Sequence, residues 1–287
     1  MSWLWIALGA AGLAGLVALA YWQLIIAEGT YLGPRVVAWT YDLVSGHYDG
    51  IKRFEPRDES WFVAAPLLHG LEGVERPLIL DVATGTGRLP LALLRERFRG
   101  QIVGLDLSKG MLRQARRKLR TYGDLVSLIW QDASLLPFED STFDAVTCLE
   151  SLEFMPRPLA VLSEMVRVLA PGGVLYLTNR VGPEARFLPG RAIPRPQFEQ
   201  VLAAHSLSDF QVRPWQVNYD LAIGRKAGER GKEARPGLKV APAPCCPACG
   251  GRLERGLAGL SCLACDRTYP IREGIVHLAA YGRRGTS

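Results

Sequence analysis

Leu78-Ile79-Leu80-Asp81-Val82-Ala83-Thr84-Gly85-Thr86-Gly87 is a short apolar run that ends in a carboxylate, enters a glycine turn and leads into a helical pattern from about residue 88. Five residues of continuous hydrophobicity suit a strand buried on both faces. Glycine in the turn lets the backbone approach a ligand closely, and the N-terminus of the following helix offers free N–H groups. A dinucleotide fingerprint is not completed, because Pro90 stands where its third glycine would be. Outward from this unit, strand and helix signals alternate. Strands are predicted at 78–82, 101–106, 125–130, 143–149 and 173–179, and helices at 88–98, 109–120 and 158–169. Such alternation makes a parallel α/β sheet with helices on both faces. Two helical patterns precede it, near 33–45 and 59–71, and a helix near 196–205 leads to closing strands at 209–217 and 219–225, which makes seven strands in all.

Three carboxylates fall at strand ends. Asp81 closes the first strand, Asp106 closes the second, nineteen residues beyond Gly87, and Asp132 follows the third. A carboxylate at the tip of the second strand accepts both hydroxyls of a ribose. One in the third loop suits an exocyclic adenine amino group, and Asp81 suits the ammonium of an amino-acid moiety. This acidic set, without a glycine cradle for phosphates, favours S-adenosylmethionine (SAM) over NAD.

The segments DVATGTGR (81–88), GLDLS (104–108), DASLLPFEDSTFDAVTCLESLEF (132–154) and EMVRVLAPGGVLYLTN (164–179) resemble the class I SAM-dependent methyltransferases, in particular the branch of ubiquinone and menaquinone C-methyltransferases. The likeness extends over about residues 38–226 and implies a Rossmann-like seven-stranded sheet. It also implies SAM contacts from Asp81, Gly85, Gly87, Asp106, Leu107, Asp132 and Ala133, with Tyr41 closing over the cofactor and Ala83 replacing the first glycine of the usual motif.

SAM carries its own leaving group, so the protein must chiefly hold the acceptor in line with the methyl carbon, and a base is needed only where the acceptor loses a proton. Leu149-Glu150-Ser151-Leu152-Glu153-Phe154 follows the fourth strand, on the side where the methyl group sits in this fold, and Glu150 is the candidate catalytic group, with Glu153 beside it. The Asn/Asp-Pro-Pro-Tyr motif of base N-methyltransferases is absent from this position. Residues 180–195 carry Arg180, Arg186, Arg191, Arg195 and Phe187, a mix suited to an acceptor with an anionic head or to lipid headgroups. Asp144, at the start of the fourth strand, reads as structural, Pro171-Gly172-Gly173 as a turn, and the basic run from Arg113 to Arg120 as a solvated helix face.

No charged residue occurs from Trp3 to Ala27. At 1.5 Å per residue a helix of this length reaches roughly 35 Å, enough to cross a hydrocarbon layer of about 30 Å. Trp3, Trp5, Tyr21 and Trp22 supply aromatic rings near both ends. A cleavable signal peptide is disfavoured, since no basic residue precedes the run and the run continues past Ala18-Leu19-Ala20. Arg35, Lys52, Arg53 and Arg57 follow it, which places the rest of the chain on the cytoplasmic side of the cell membrane. The net charge of +6 favours anionic partners, a phospholipid surface or RNA, without choosing between them. A chain from residue 28 on is expected to be soluble, as no second run is long and apolar enough to span.

Five of the six cysteines fall between Cys245 and Cys265. Cys246-Pro-Ala-Cys249 and Cys262-Leu-Ala-Cys265, twelve residues apart, supply four thiolates for one structural Zn²⁺. Residues 245–278 resemble the zinc-ribbon proteins that partner and activate tRNA and translation-factor methyltransferases. This resemblance implies an RNA or protein partner that the ribbon contacts. The expected organisation is an anchor at 1–27, a catalytic domain at 28–225, a linker at 226–243, a ribbon at 244–279 that folds independently of SAM binding, and a tail at 280–287. The favoured activity is methylation of a membrane-associated small molecule, a quinone precursor or lipid. The alternatives are an RNA or protein methyltransferase and a non-catalytic SAM-binding scaffold.

Overall fold

The computed structural model describes residues 2–229, 242–256 and 259–278. Most of the expected linker and all of the tail lie outside them. Helix α1 (Ser2–Tyr21) runs into a π-helical turn (Trp22–Ile26), and together they give a 24-residue apolar stretch from Trp3 to Ile26, exposed up to its end, where Trp22 is partly buried against the rest of the chain. Helices α2 (Pro34–Val44), α3 (Tyr48–Lys52) and α4 (Pro56–Glu59) follow. The single helix expected at 59–71 is instead α4, a π-helical turn (Ser60–Ala64) and α5 (Ala65–Gly70). Pro66 has no N–H for the Phe62 carbonyl four residues earlier, and that carbonyl accepts the Tyr176 hydroxyl at 2.9 Å instead.

The alternating units follow as read. They are β1 (Leu78–Val82), α6 (Arg88–Arg95), β2 (Gln101–Asp106), α7 (Lys109–Leu119), β3 (Val126–Trp130), β4 (Phe143–Cys148), α8 (Pro158–Val168), β5 (Leu169–Arg180), α9 (Arg195–Ala204), β6 (Leu207–Trp215) and β7 (Tyr219–Lys226). The first five strands are parallel, and β7 inserts antiparallel between β5 and β6, giving the order β6-β7-β5-β4-β1-β2-β3. Strand side chains alternate between two cores. Leu78, Leu80 and Val82 pack with α8 and α9, while Ile79 packs with α5, α6 and α7. Pro171-Gly172-Gly173, expected as a turn, instead lies within β5, where the extra residues shift the β4–β5 register between the Phe143–Leu169 and Ala145–Val174 pairings. The Asp144 carboxylate accepts the Leu78 N–H at 2.8 Å, a structural role.

Strands β8 (Leu253–Gly256), β9 (Gly259–Cys262), β10 (Thr268–Arg272) and β11 (Ile275–His277) form the C-terminal unit, and here the structure corrects the expectation of an independent ribbon. Strand β11 pairs parallel with β3, through Ile275 with Leu128, Val276 with Ile129 and His277 with Trp130, so that the sheet continues to eleven strands. Ile275 and Leu278 are 3% and 1% exposed and belong to the two catalytic-domain cores. The Cys245 N–H donates to the Pro137 carbonyl and the Leu278 N–H to that of Trp130. The basic face of α7 is likewise engaged. Arg113 lies 3.4 Å from Glu273, and Arg116 packs against Gly274. The physical reason is the edge of β3. An unpaired edge strand presents a row of open N–H and C=O groups, and β11 satisfies them.

Candidate active site

The carboxyl ends of β1 to β4 open onto a cleft of about 780 Å³, counting its open mouth, and an adjoining recess of about 410 Å³. A space of this size suits a small-molecule cofactor. Of the residues expected to meet SAM, Tyr41, Ala83, Gly85, Asp106, Leu107, Asp132 and Ala133 line the cleft and Asp81 lines the recess. Tyr48, Ala83, Gly85, Leu149 and Glu150 border both. Gly87 borders neither. Its φ is +80°, and a Cβ there would meet Leu119 Cδ1 at 2.9 Å and Ala115 Cβ at 3.2 Å, so a glycine here lets α6 pack closely on α7.

Two buried carboxylates face this space. Asp106 accepts the Gly85 and Ser108 N–H groups, each at 2.8 Å. Asp81 accepts the hydroxyls of Thr84 at 2.6 Å and Thr147 at 2.7 Å. Among the described residues neither forms an ion pair, and burial outweighs the hydrogen bonds and pushes both up to about 6. A carboxylate with spare lone pairs and no cation of its own fits an incoming ammonium or pair of hydroxyls. Gln131 supplies a further mark that sequence reasoning did not single out. It lines the cleft, and its Oε1 is buried without a partner.

The near wall is α2. Val37, Ala38 and Tyr41 line the cleft, and Asp42 accepts the Ser108 hydroxyl at 2.6 Å and the Gly110 N–H at 2.7 Å, which pins α2 to the start of α7. The Tyr41 hydroxyl donates to Glu28, a half-buried carboxylate raised above its ordinary range by desolvation, against the opposing hydrogen bond from Tyr41.

Glu150 lines the cleft as expected, but its chemistry differs from that of a base. Its carboxylate accepts from Lys52 at 3.0 Å, from Arg88 at 2.5 Å and from Gln216 at 3.2 Å. Burial acts to raise it, yet Lys52 and Arg88 prevail and hold it below the usual carboxylate range. Arg88 also pairs with buried Glu59 and stacks over Phe54 at 4.3 Å. Glu150 is therefore the centre of an ion-pair network beside the cleft. Glu153 is fully buried and accepts the Tyr219 hydroxyl at 2.7 Å, and burial raises it. The arginines of 180–195 are mostly engaged: Arg180 with Glu153 and Glu184, Arg195 with Asp220, and Arg191 with the carbonyls of Met155 and Pro156. Engaged in this way, they are not held ready for an anionic head.

The end of α1 docks beside the same cleft. The Trp22 indole donates to the Phe187 carbonyl at 2.9 Å, the Tyr31 hydroxyl to that of Pro189 at 2.8 Å, and the Thr30 hydroxyl to that of Phe154 at 2.9 Å. Ala27, Phe154 and Leu188 form a small core there, and Phe154 lines the cleft.

In the C-terminal unit the Sγ atoms of Cys246, Cys249, Cys262 and Cys265 lie within 4.8 Å of one another, with Cys246 to Cys265 at 3.7 Å and Cys249 to Cys262 at 3.5 Å. Zn–S bonds of about 2.3 Å in a tetrahedron place sulfurs about 3.8 Å apart, so the set fits one Zn²⁺. Gly251 donates its N–H to Cys249 Sγ at 3.4 Å, and a Cβ on Gly251 would crowd Cys262 Sγ at 3.1 Å.

Comparison with known proteins agrees with this geometry. Residues 80–177 match the family described as a methyltransferase domain. A ubiquinone/menaquinone biosynthesis C-methyltransferase of Desulfotalea psychrophila is 37% identical over 147 residues, which cover 49% of this chain and 56% of that protein. A demethylmenaquinone methyltransferase of Thermus thermophilus is 47% identical over 100 residues, covering 34% and 45%. The chain thus spans about half the length of the curated relatives it matches. Among solved structures, the [4+2]-cyclase SpnF superposes with a TM-score of 0.57 at 20% identity, covering 68% of this chain and 97% of that one. A chain from the complex of the Haloferax volcanii Trm112 methyltransferase activator with a methyltransferase superposes with a TM-score of 0.51 at 20% identity, covering 66% and 98%. These two likenesses are of fold.

Proposed function

We propose that this chain, which carries a class I SAM-dependent methyltransferase domain, moves the methyl group of SAM onto a lipid-soluble small molecule, such as a quinone precursor or a lipid, at the cytoplasmic face of a membrane. The observation that carries the reading is the docking of the apolar helix end against the cleft, where Thr30 bonds Phe154 and α2 forms the near wall. The relatives named for quinone methylation support the same acceptor class.

When bound, SAM supplies the methyl group and, as a thioether, its own leaving group. Asp106 would accept the ribose hydroxyls, Asp132 with Ala133 and the unpartnered Oε1 of Gln131 would receive the adenine, and Asp81 would balance the ammonium. Tyr41 and Phe154, which line the cleft, would exclude water from the bound cofactor. Where the acceptor must lose a proton, Glu28 is the group to receive it through the Tyr41 hydroxyl, since Glu150 is neutralised by two cations and Glu28 is held ready to protonate. The four cysteines of the ribbon hold one structural Zn²⁺, which stiffens the unit that completes the sheet beyond β3.

Incubation of the full chain with methyl-labelled SAM and a membrane extract, in parallel with RNA and protein fractions, tests the reading. Label is expected in the organic-soluble fraction. Label in RNA or protein would support the second reading, which the ribbon and the fold shared with the chain from the Trm112 complex favour. SAM binding without labelled product in any fraction would leave a scaffold.

A further inference from the structure

Helix α2 has two unlike faces. Val37, Ala38 and Tyr41 line the cleft, while Arg35, Trp39 and Leu43, spaced four residues apart and so on one outward stripe, are exposed. Trp39 is 54% and Leu43 63% exposed, and Leu32 just before the helix and Phe187, whose carbonyl holds Trp22, are each 53% exposed. Single exposed apolar side chains need no explanation. These four differ in where they sit. Trp22, the ring near the end of the apolar helix, stacks on Tyr31 at 5.2 Å and donates to the Phe187 backbone, so Leu32 and Phe187 adjoin the level at which that helix ends. The seven residues from Ala27 to Gly33 do not form a free tether. Their path is fixed by Gly29 N–H to Gln23 O at 2.7 Å, Leu32 N–H to Gly29 O at 2.9 Å, and the buried Thr30. Helix α2 is therefore held rigidly to the end of α1.

We propose that the outer stripe of α2, with Leu32 and Phe187, lies in the headgroup layer of the phospholipid bilayer that α1 enters, and so seats the mouth of the cleft at the membrane surface. Trp at the level of the headgroups, leucine and phenylalanine inserted just below, and arginine paired with anionic phosphates are the arrangement an interfacial helix uses. Arg35 lies on the stripe itself, and Arg53 and Arg57 are exposed in the segments that follow. With this face in place an apolar acceptor passes from the leaflet along α2 to the cleft without entering bulk water. This entry route rests on the acceptor class proposed above; the membrane contact does not. The expectation that residues from 28 on are soluble is revised accordingly, because an interfacial face needs no second span.

The test uses the full-length chain reconstituted in vesicles of phosphatidylglycerol and phosphatidylethanolamine. A photo-crosslinking amino acid is placed singly at 39 or 43, and for comparison at 75, before β1 at the opposite end of the strands, or at 263, an exposed ribbon position. Lipid adducts at 39 and 43 are expected to exceed those at 75 and 263 several-fold. In the Trp39→Glu, Leu43→Glu double variant, adducts at 32 are expected to fall several-fold while SAM affinity, read by calorimetry, shows that the fold is kept. Equal adducts at 39 and 75, or a crosslink at 39 to a second copy of the chain in place of lipid, overturns the proposal. Lipid adducts with label found only in RNA or protein would remove the acceptor reading and leave the membrane face standing.

Discussion

Replacing Cys246 by serine removes one of four thiolates from a unit too small to hold a core of its own, in which the proposed Zn²⁺ would supply most of the folding energy. The sequence predicts an isolated loss, but the structure predicts a loss that spreads. Strand β11 covers the edge of β3, and Ile275 and Leu278 are buried in the two catalytic-domain cores. Withdrawing two such side chains costs about 1.5–3 kcal/mol each, roughly 3–6 kcal/mol together, against a total stability for a domain of about 5–15 kcal/mol. Asp132 and Ala133 follow β3 after Gln131, so the proposed adenine end of the cleft should loosen with it. Cys246→Ser is expected to lose zinc by metal analysis, to speed hydrogen exchange of the amides at 126–130, and to weaken SAM binding by calorimetry. Ile275→Ala should retain zinc yet destabilise the catalytic domain by about 2–5 kcal/mol, which separates docking from metal loss. If zinc is gone while the β3 amides exchange as slowly as in the parent and SAM affinity is unchanged, the argument from the shared sheet is wrong.

Asp106→Ala is expected to weaken SAM binding by on the order of 2–3 kcal/mol, through lost charge-assisted hydrogen bonds; unchanged affinity by calorimetry would sink its assignment. Asp81 and Asp106 are both raised to about 6, above the unfolded value of 3.8. Their contribution to stability is therefore complete below about pH 4 and is lost as pH rises through about 6. SAM binding favours the ionised forms, so melting temperature against pH should fall through about 6 without SAM, and the stabilisation by added SAM should grow over the same interval. Gly87→Ala is expected to destabilise by about 1–3 kcal/mol, from a strained positive φ and a Cβ pressed on Leu119; a melt unchanged from the parent would refute this packing role.

What was legible in the sequence was local. The buried strands at 78–82 and 101–106 needed only their apolar runs, the turn needed its glycines, and the carboxylates at 81, 106 and 132 needed only their spacing from strand ends. The thiolate pairs were equally plain, because each CxxC places its two ligands by itself. The role of Glu150 was not legible. Its cations come from Lys52 and Arg88, far away in the chain, and a charge 98 residues distant has no local signature. Gln131 could have been marked from its place in the loop, but its unpartnered oxygen appears only once the cleft is formed.

By itself the sequence determined the parts: an apolar helix, a seven-stranded α/β domain with acidic strand tips, and a four-cysteine unit. Only the tertiary structure decided how the parts meet. The ribbon joins the sheet because β3 has an open edge that β11 can fill, and hydrogen bonding between backbones leaves no mark in the side-chain pattern. The end of the apolar helix meets the cleft because Trp22, Thr30 and Tyr31 find carbonyls at Phe187, Phe154 and Pro189. Those acceptors belong to every residue alike, and folding alone determines which of them are near.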